Sequence, residues 1–158
     1  MRILLQRVTQ ANVRINAKLI AAISRGYVLL VGVGIGDTTR EVELLARKIV
    51  HLRLLDEASG KRNLSALELN SDSNTPVQML VVSQFTLFAD TRKGRRPSYV
   101  AAAPGSLAEP LIDALVDSLR GFGFTVAVGE FGANMRLELV NDGPVTIWLD
   151  SHDLANRG

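Results

Sequence analysis

An α+β fold with a barrel-like, mainly antiparallel sheet and two principal helices is predicted from three observations. Strand-like segments outnumber helical ones, short turns join many of them, and only two segments hold a sustained helical period. A doubly wound βαβ repeat needs a helix after nearly every strand, and the chain does not supply them. Its 158 residues fall in the single-domain range and suffice to bury a core without disulfides or a structural metal. No linker, repeat or low-complexity tract divides the chain, so 1–158 reads as one domain.

In order, Ile3 to Val8, Val13 to Ile15 and Lys18 to Ile23 read as strands, and Tyr27 to Val33, apolar nearly throughout, as a central buried one. Thr38-x-x-Glu41 has the form of a capping box, with Val42, Leu45, Ile49 and Leu52 following at helical spacing, which predicts a helix over 38–52. Asp56 to Gly60 reads as a turn, Ser71 to Pro76 as an exposed loop and Val77 to Val82 as a second buried strand. Ser106-x-x-Glu109 suggests another capping box, opening a helix whose stripe is Leu111, Leu115, Leu119 and Phe122, closed by Gly121 and Gly123. Strands over Thr125 to Glu130, Met135 to Val140 and Val145 to Leu149 complete the reading.

Composition removes several function classes. There is no cysteine, which excludes disulfides, zinc–thiolate sites, iron–sulfur clusters and thiol nucleophiles. No run of about 18 apolar residues predicts a membrane helix. Charge and amide interrupt the apolar residues from Met1 to Arg7, so no signal-peptide core of about 7–15 apolar residues forms, and a cytoplasmic location is expected. A net charge of +2 does not by itself argue for a nucleic-acid partner. The local cluster Arg92, Lys93, Arg95 and Arg96, hinged at Gly94, is either a solvated loop or a set of cations for phosphates.

Gly32-Val33-Gly34-Ile35-Gly36 follows a strand and precedes a helix, but its GxGxG spacing departs from the GxGxxG dinucleotide fingerprint, and a glycine turn is the better reading. His51 and His152 lack metal-ligand spacing and read as surface residues, which leaves no obvious general base. Ser83-Gln84-Phe85-Thr86-Leu87 puts polar groups at the end of a buried strand, where they either meet a ligand or satisfy the backbone. Asn141-Asp142-Gly143-Pro144-Val145-Thr146 has strong turn chemistry and taken alone reads as a plain turn. A non-catalytic RNA-binding module, stacking bases on Phe85 and Tyr99, and a nucleotide-binding enzyme using Gly32 to Gly36 are the rival functions.

Taken together, Ser83 to Leu87 and Asn141 to Thr146 resemble, in order and separation, the two signature segments of the D-aminoacyl-tRNA deacylase family, which includes the D-tyrosyl-tRNA deacylases. The likeness extends to Gln6-Arg7-Val8, Val31 to Gly34, Asp90 to Ser98 and Phe131 to Met135, and covers Met1 to Ser151. The resemblance implies a homodimeric editing hydrolase that cuts the ester of D-aminoacyl-tRNA and of mischarged glycyl-tRNA, and no cofactor or metal ligand is expected. No membrane or DNA partner is expected. It implies that Ser83, Gln84, Phe85 and Thr86 shape the catalytic pocket and that Met135 lines it. It further implies that Gly143-Pro144 is cis, enters the partner's active site and rejects L-amino acids, and that Arg7 braces this pair. Arg92, Lys93, Arg95 and Arg96 would then hold tRNA phosphates, and the 2′-hydroxyl of the terminal ribose would assist hydrolysis in place of a protein base.

Overall fold

A computed structural model describes residues 1–56, 60, 62–72 and 76–155. Eight strands and four α-helices appear among them: β1 (Arg2–Ile15), β2 (Lys18–Ile23), β3 (Gly26–Gly32), α1 (Thr39–His51), β4 (Arg53–Asp56), β5 (Arg62–Ser65), α2 (Ala66–Asp72), β6 (Gln78–Ser83), α3 (Gly105–Gly121), β7 (Thr125–Val128), β8 (Arg136–Asp150) and α4 (Ser151–Ala155). The main sheet has six strands in the order β2-β1-β3-β6-β7, with β8 also pairing β1. Pairings of β1 with β2, β3 and β8 are antiparallel, whereas β3-β6 and β6-β7 are parallel. The sheet is thus mixed and nearly closes on itself, with α1 and α3 as the crossovers that parallel neighbours require.

Strand β3 has buried residues on both faces, which explains its unbroken apolar run. Tyr27, Leu29 and Val31 join α1 and α3 in one core with Leu45, Ile49, Leu115 and Leu119. Val28, with Leu80 and Val82 of β6, packs in a second cluster against Val8, Val13 and Ile23 inside the curved sheet. Alternation with period two sends successive residues of one strand to these two cores.

The first capping box forms as expected. The Arg40 amide donates to Thr38 Oγ1 at 3.3 Å, while the Thr38 amide and hydroxyl both donate to the Glu41 carboxylate at 2.7 Å. The Thr38 hydroxyl holds the Glu41 carboxyl below its ordinary range. The second expected capping box does not form. Pro104, extended at φ −62° and ψ 155°, is the N-cap of α3 with no side-chain cap, so Ser106 is the second residue of the helix, two past the cap. The Pro104 carbonyl accepts from Leu107 and Ala108 at 3.0 and 2.9 Å, and this opens the helix instead.

Two strands depart from the prediction. β1 is continuous where the sequence predicts two pieces, because Thr9 and Gln10 are exposed and interrupt only the apolar alternation, while pairing with β8 runs on. β8 is likewise continuous through Asn141 to Thr146, so that segment is not a turn between strands. Gln6 pairs with Thr146 and Val8 with Asn141, leaving 142–145 as a bulge opposite Arg7. The hairpin β4-β5 and the helices α2 and α4 add to the predicted elements, and Ser71 and Asp72, expected in a loop, end α2. Residues 57–59 of the expected turn, 73–75 of that loop and 156–158 of the tail lie outside the described residues. The Ser151 amide donates to the Met1 carbonyl at 2.9 Å, joining α4 to the start of β1. Among the described residues no helix is long and apolar enough to cross a membrane.

Candidate active site

Parallel strands β3 and β6 end side by side, with Val31 opposite Ser83. The Gln84 amide extends the ladder by donating to the Val31 carbonyl at 2.7 Å. The chain then tightens into a 3₁₀ turn, Phe85–Phe88, closed by Leu87 N–H to the Gln84 carbonyl at 3.2 Å and Ala89 N–H to the Thr86 carbonyl at 3.0 Å. A ligand commonly meets an α/β sheet at the carboxyl ends of parallel strands.

A cavity of about 580 Å³ opens there. Val33, Ser83, Gln84 and Phe85 form one wall, Ala103, Gly105 and Ala108 around the start of α3 another, and Phe131 to Met135, linking β7 to β8, a third. Glycines allow the closeness of these walls. A Cβ on Gly129 would stand 2.6 Å from Met135 Sδ, and one on Gly105 would stand 3.3 Å from the Phe131 ring. None of the described residues lining the cavity carries an ionisable group, so its polar chemistry is confined to hydroxyl, amide and backbone groups. His51 and His152 are exposed and outside this lining. Among the described residues no cluster of His, Asp or Glu has the grouping of a metal site.

Of the residues singled out from the sequence, Ser83, Gln84, Phe85 and Met135 meet at the cavity. Thr86 is outside the lining, and its hydroxyl accepts from the Gln84 side-chain amide. Arg7, Gly143 and Pro144 gather elsewhere on the same chain. The Gly143-Pro144 bond is cis. Arg7, 2% exposed, donates through Nε to the Asp142 carbonyl at 3.0 Å and through Nη1 to the Leu54 carbonyl at 2.6 Å and to Asp56 at 3.3 Å. Its Nε also pairs with the Asp142 carboxylate at 3.2 Å. The Asn141 amide ties the bulge from the other side, donating to the carbonyls of Arg7 at 2.9 Å and Val145 at 3.2 Å.

Arg92 to Arg96 is exposed and closed at its base by a bridge between Asp90 and Ser98. Arg92 forms a two-pronged pair with Asp90 at 2.8 and 2.7 Å, which holds the Asp90 carboxyl well below the carboxylate range. Among the described residues Lys93, Arg95 and Arg96 have no ion-pair partner. Tyr99, just past the loop, packs edge-on against Phe85 with centroids 5.0 Å apart, connecting the loop to the cavity wall. Ala103, Gly105, Ala108 and Ile112 are among the lining residues that the sequence reading misses, since glycine and apolar side chains carry no chemical signal.

A family model described as D-Tyr-tRNA(Tyr) deacylase matches residues 4–150. Among curated relatives, a D-aminoacyl-tRNA deacylase of Thermomicrobium roseum is 51% identical over 98% of this chain and 96% of its own length. One from Thermosipho africanus is 45% identical over 96% of this chain and 97% of its own. Among solved structures, a c-Myc DNA unwinding element binding protein superposes with a TM-score of 0.85 at 36% identity, over 95% of this chain and 98% of that one. A structure described as a probable eukaryotic D-amino acid tRNA deacylase has the same fold, with a TM-score of 0.77 at 16% identity over 94% and 97% of the two chains. The chain belongs to the D-aminoacyl-tRNA deacylase family of hydrolases.

Proposed function

We propose that this chain hydrolyses the ester between a D-amino acid and its tRNA, with the cavity at the ends of β3 and β6 holding the aminoacyl group and terminal adenosine. The observation that carries the mechanism is the lining without ionisable groups. No side chain there is suited to act as general base, so the vicinal 2′-hydroxyl of the terminal ribose assists the attacking water. Water adds to the acyl carbon, the bond to the ribose oxygen breaks, that oxygen takes a proton, and free amino acid and tRNA separate. Ser83, Gln84 and Phe85 orient the reacting ester, Thr86 supports Gln84, and Met135 borders the amino-acid side chain.

Gly143 and Pro144 do not line the cavity of their own chain, and the reading places them in that of a partner protomer in a homodimer. There they occupy the space an L side chain needs, so selection works by exclusion. Glycine has no side chain to exclude, and mischarged glycyl-tRNA is therefore a second substrate. Arg92, Lys93, Arg95 and Arg96 contact phosphates without reading bases, and the enzyme works where charged tRNA is, in the cytoplasm.

The test uses purified chain with D-, L- and glycyl-tRNA, and with D-aminoacyl-tRNA ending in 2′-deoxyadenosine. Expected are turnover of the D and glycyl esters, survival of the L ester, and a loss of about 100-fold or more on the deoxy substrate. Equal hydrolysis of both enantiomers contradicts the filter, and an unaltered rate on the deoxy substrate contradicts the assistance.

A further inference from the structure

Gly32-Val33-Gly34 is the sequence motif that the reaction leaves unexplained, and it lies against the 3₁₀ turn that follows Ser83 and Gln84. A Cβ on Gly32 would stand 2.9 Å from the Gln84 carbonyl oxygen and 3.2 Å from both Leu87 Cβ and Phe88 Cδ2. A Cβ on Gly34 would stand 2.7 and 2.8 Å from two atoms of the Phe88 ring. Neither glycine is among those with positive φ, so space rather than backbone conformation selects glycine at both positions.

Phe88 fills that space, and Arg2 lies over its ring. The Arg2 guanidinium carbon is 4.4 Å from the ring centroid, within cation–π range. Its Nη1 donates to the Leu87 carbonyl at 3.0 Å and its Nε to the Asp150 carboxylate at 2.9 Å. Arg2 faces Gly32 across the β1-β3 ladder and Asp150 across β1-β8, so three strands converge on the turn. The opposite wall of the cavity is tied to the same tripeptide. The Ala103 amide donates to the Val33 carbonyl at 2.9 Å, and Gly34 bridges to Ala102.

We infer that Gly32, Gly34, Phe88 and Arg2 are positioning residues that seat the 3₁₀ turn against the end of β3 and so set the aim of Ser83, Gln84 and Phe85 at the substrate. The inference rests on the deacylase reading of the cavity. The motif that imitates a nucleotide-binding loop serves as a socket for an aromatic ring.

The experiment compares wild type, G34A, F88L and G34A/F88L in single-turnover hydrolysis of D-aminoacyl-tRNA, with melting temperature and Trp148 fluorescence recorded alongside. Trp148 is the sole tryptophan, and Arg2 lies 5.7 Å from its ring, so its emission reports on the Arg2-Phe88 stack without reference to activity. The expected result is a fall of about 100-fold in the chemical step for folded G34A, the scale of a displacement near 1 Å at a reacting centre. Its Trp148 emission should change too. Trimming the ring in G34A/F88L should recover about tenfold or more of the rate and return the emission toward that of F88L.

A folded G34A with wild-type rate and emission overturns the inference, as does a double variant no faster than G34A. Should G34A fail to fold, F88L decides: a reduced chemical step with unaltered KM supports the socket, and a wild-type rate refutes it. A wild-type protein inactive on D-aminoacyl-tRNA refutes the substrate reading, and the fluorescence of the same variants still judges the socket.

Discussion

The cavity and the Gly143-Pro144 bulge are held by opposite means. Around the cavity, uncharged walls approach closely because Gly32, Gly34, Gly105 and Gly129 leave room for neighbouring atoms. The bulge hangs on one buried cation, Arg7, whose guanidinium reaches Asp142, Leu54 and Asp56. The difference follows from what each region must do. A recess that receives a polar ester has a lining without charge, so close packing shapes its walls, and the cation that braces them, Arg2, stays outside the lining. A projecting loop has little to pack against and must be anchored through its base. In a single chain the two regions do not share one lining, and the proposed dimer is what unites them.

Arg7→Ala should break the contrast most strongly. It leaves the Asp142 and Leu54 carbonyls without their guanidinium donor, and urea unfolding should show about 2–4 kcal/mol lost. Arg7→Lys should recover part of that, because an ammonium cannot reproduce the fork. A loss below about 0.5 kcal/mol, the range of neutral surface changes, removes Arg7 as the anchor.

Gly143→Ala should leave the fold intact and damage function. The added Cβ would stand 2.5 Å from Asn141 Oδ1, so the bulge must shift, and turnover of D-aminoacyl-tRNA should fall by about 100-fold. A near-wild-type rate separates the bulge from the site. Thr86→Ala should retain activity to within about tenfold, since its hydroxyl has no base to activate it as a nucleophile. An acyl-enzyme trapped on Thr86 contradicts that role.

Smaller effects are expected at the surface and in the core. Replacing Arg95 and Arg96 with Gln should lower the magnitude of the logarithmic salt slope of tRNA binding by about 2, alike for every tRNA. An unaltered slope makes the loop merely solvated. Tyr27 faces Arg7 in the β1-β3 register, but its hydroxyl is buried without a hydrogen-bond partner among the described residues. Burial raises its pKa. Tyr27→Phe should therefore be neutral or stabilising by up to about 1 kcal/mol, and a clear loss of stability reveals a partner for that hydroxyl.

Legibility in the sequence followed the strength of local signals. β2, β3, β6 and α1 are readable because burial imposes a period and because Thr38 and Glu41 mark a helix start. Ser65 and Glu68 form the same reciprocal cap at α2, yet the helix spans only Ala66–Asp72, too short to show a period. β8 divides on paper at Gly143-Pro144 because those residues signal a turn, whereas pairing with β1 on both sides absorbs them as a bulge. Within the site, Ser83, Gln84 and Phe85 stand out as polar and aromatic groups at a strand end, but family resemblance is needed to place them, and Met135, at a pocket. The α3 wall does not stand out, since Ala103 and Ala108 have no distinctive chemistry. Gly32 and Gly34 are visible as glycines, but only three dimensions place Phe88 in the space they leave.

The central claim is that a working site is divided between protomers, the cavity from one and Gly143-Pro144 from the other. It is tested most directly by mixing Gln84→Ala and Gly143→Ala chains, each expected to be strongly impaired alone, under conditions that exchange subunits. In a mixed dimer one site combines the intact cavity of the Gly143→Ala chain with the intact bulge of the Gln84→Ala chain, and the other site carries both defects. With free exchange half the dimers are mixed, so activity should rise to roughly a quarter of wild type. Mixed dimers that form and yet hydrolyse D-aminoacyl-tRNA no faster than the two parents together contradict the divided site.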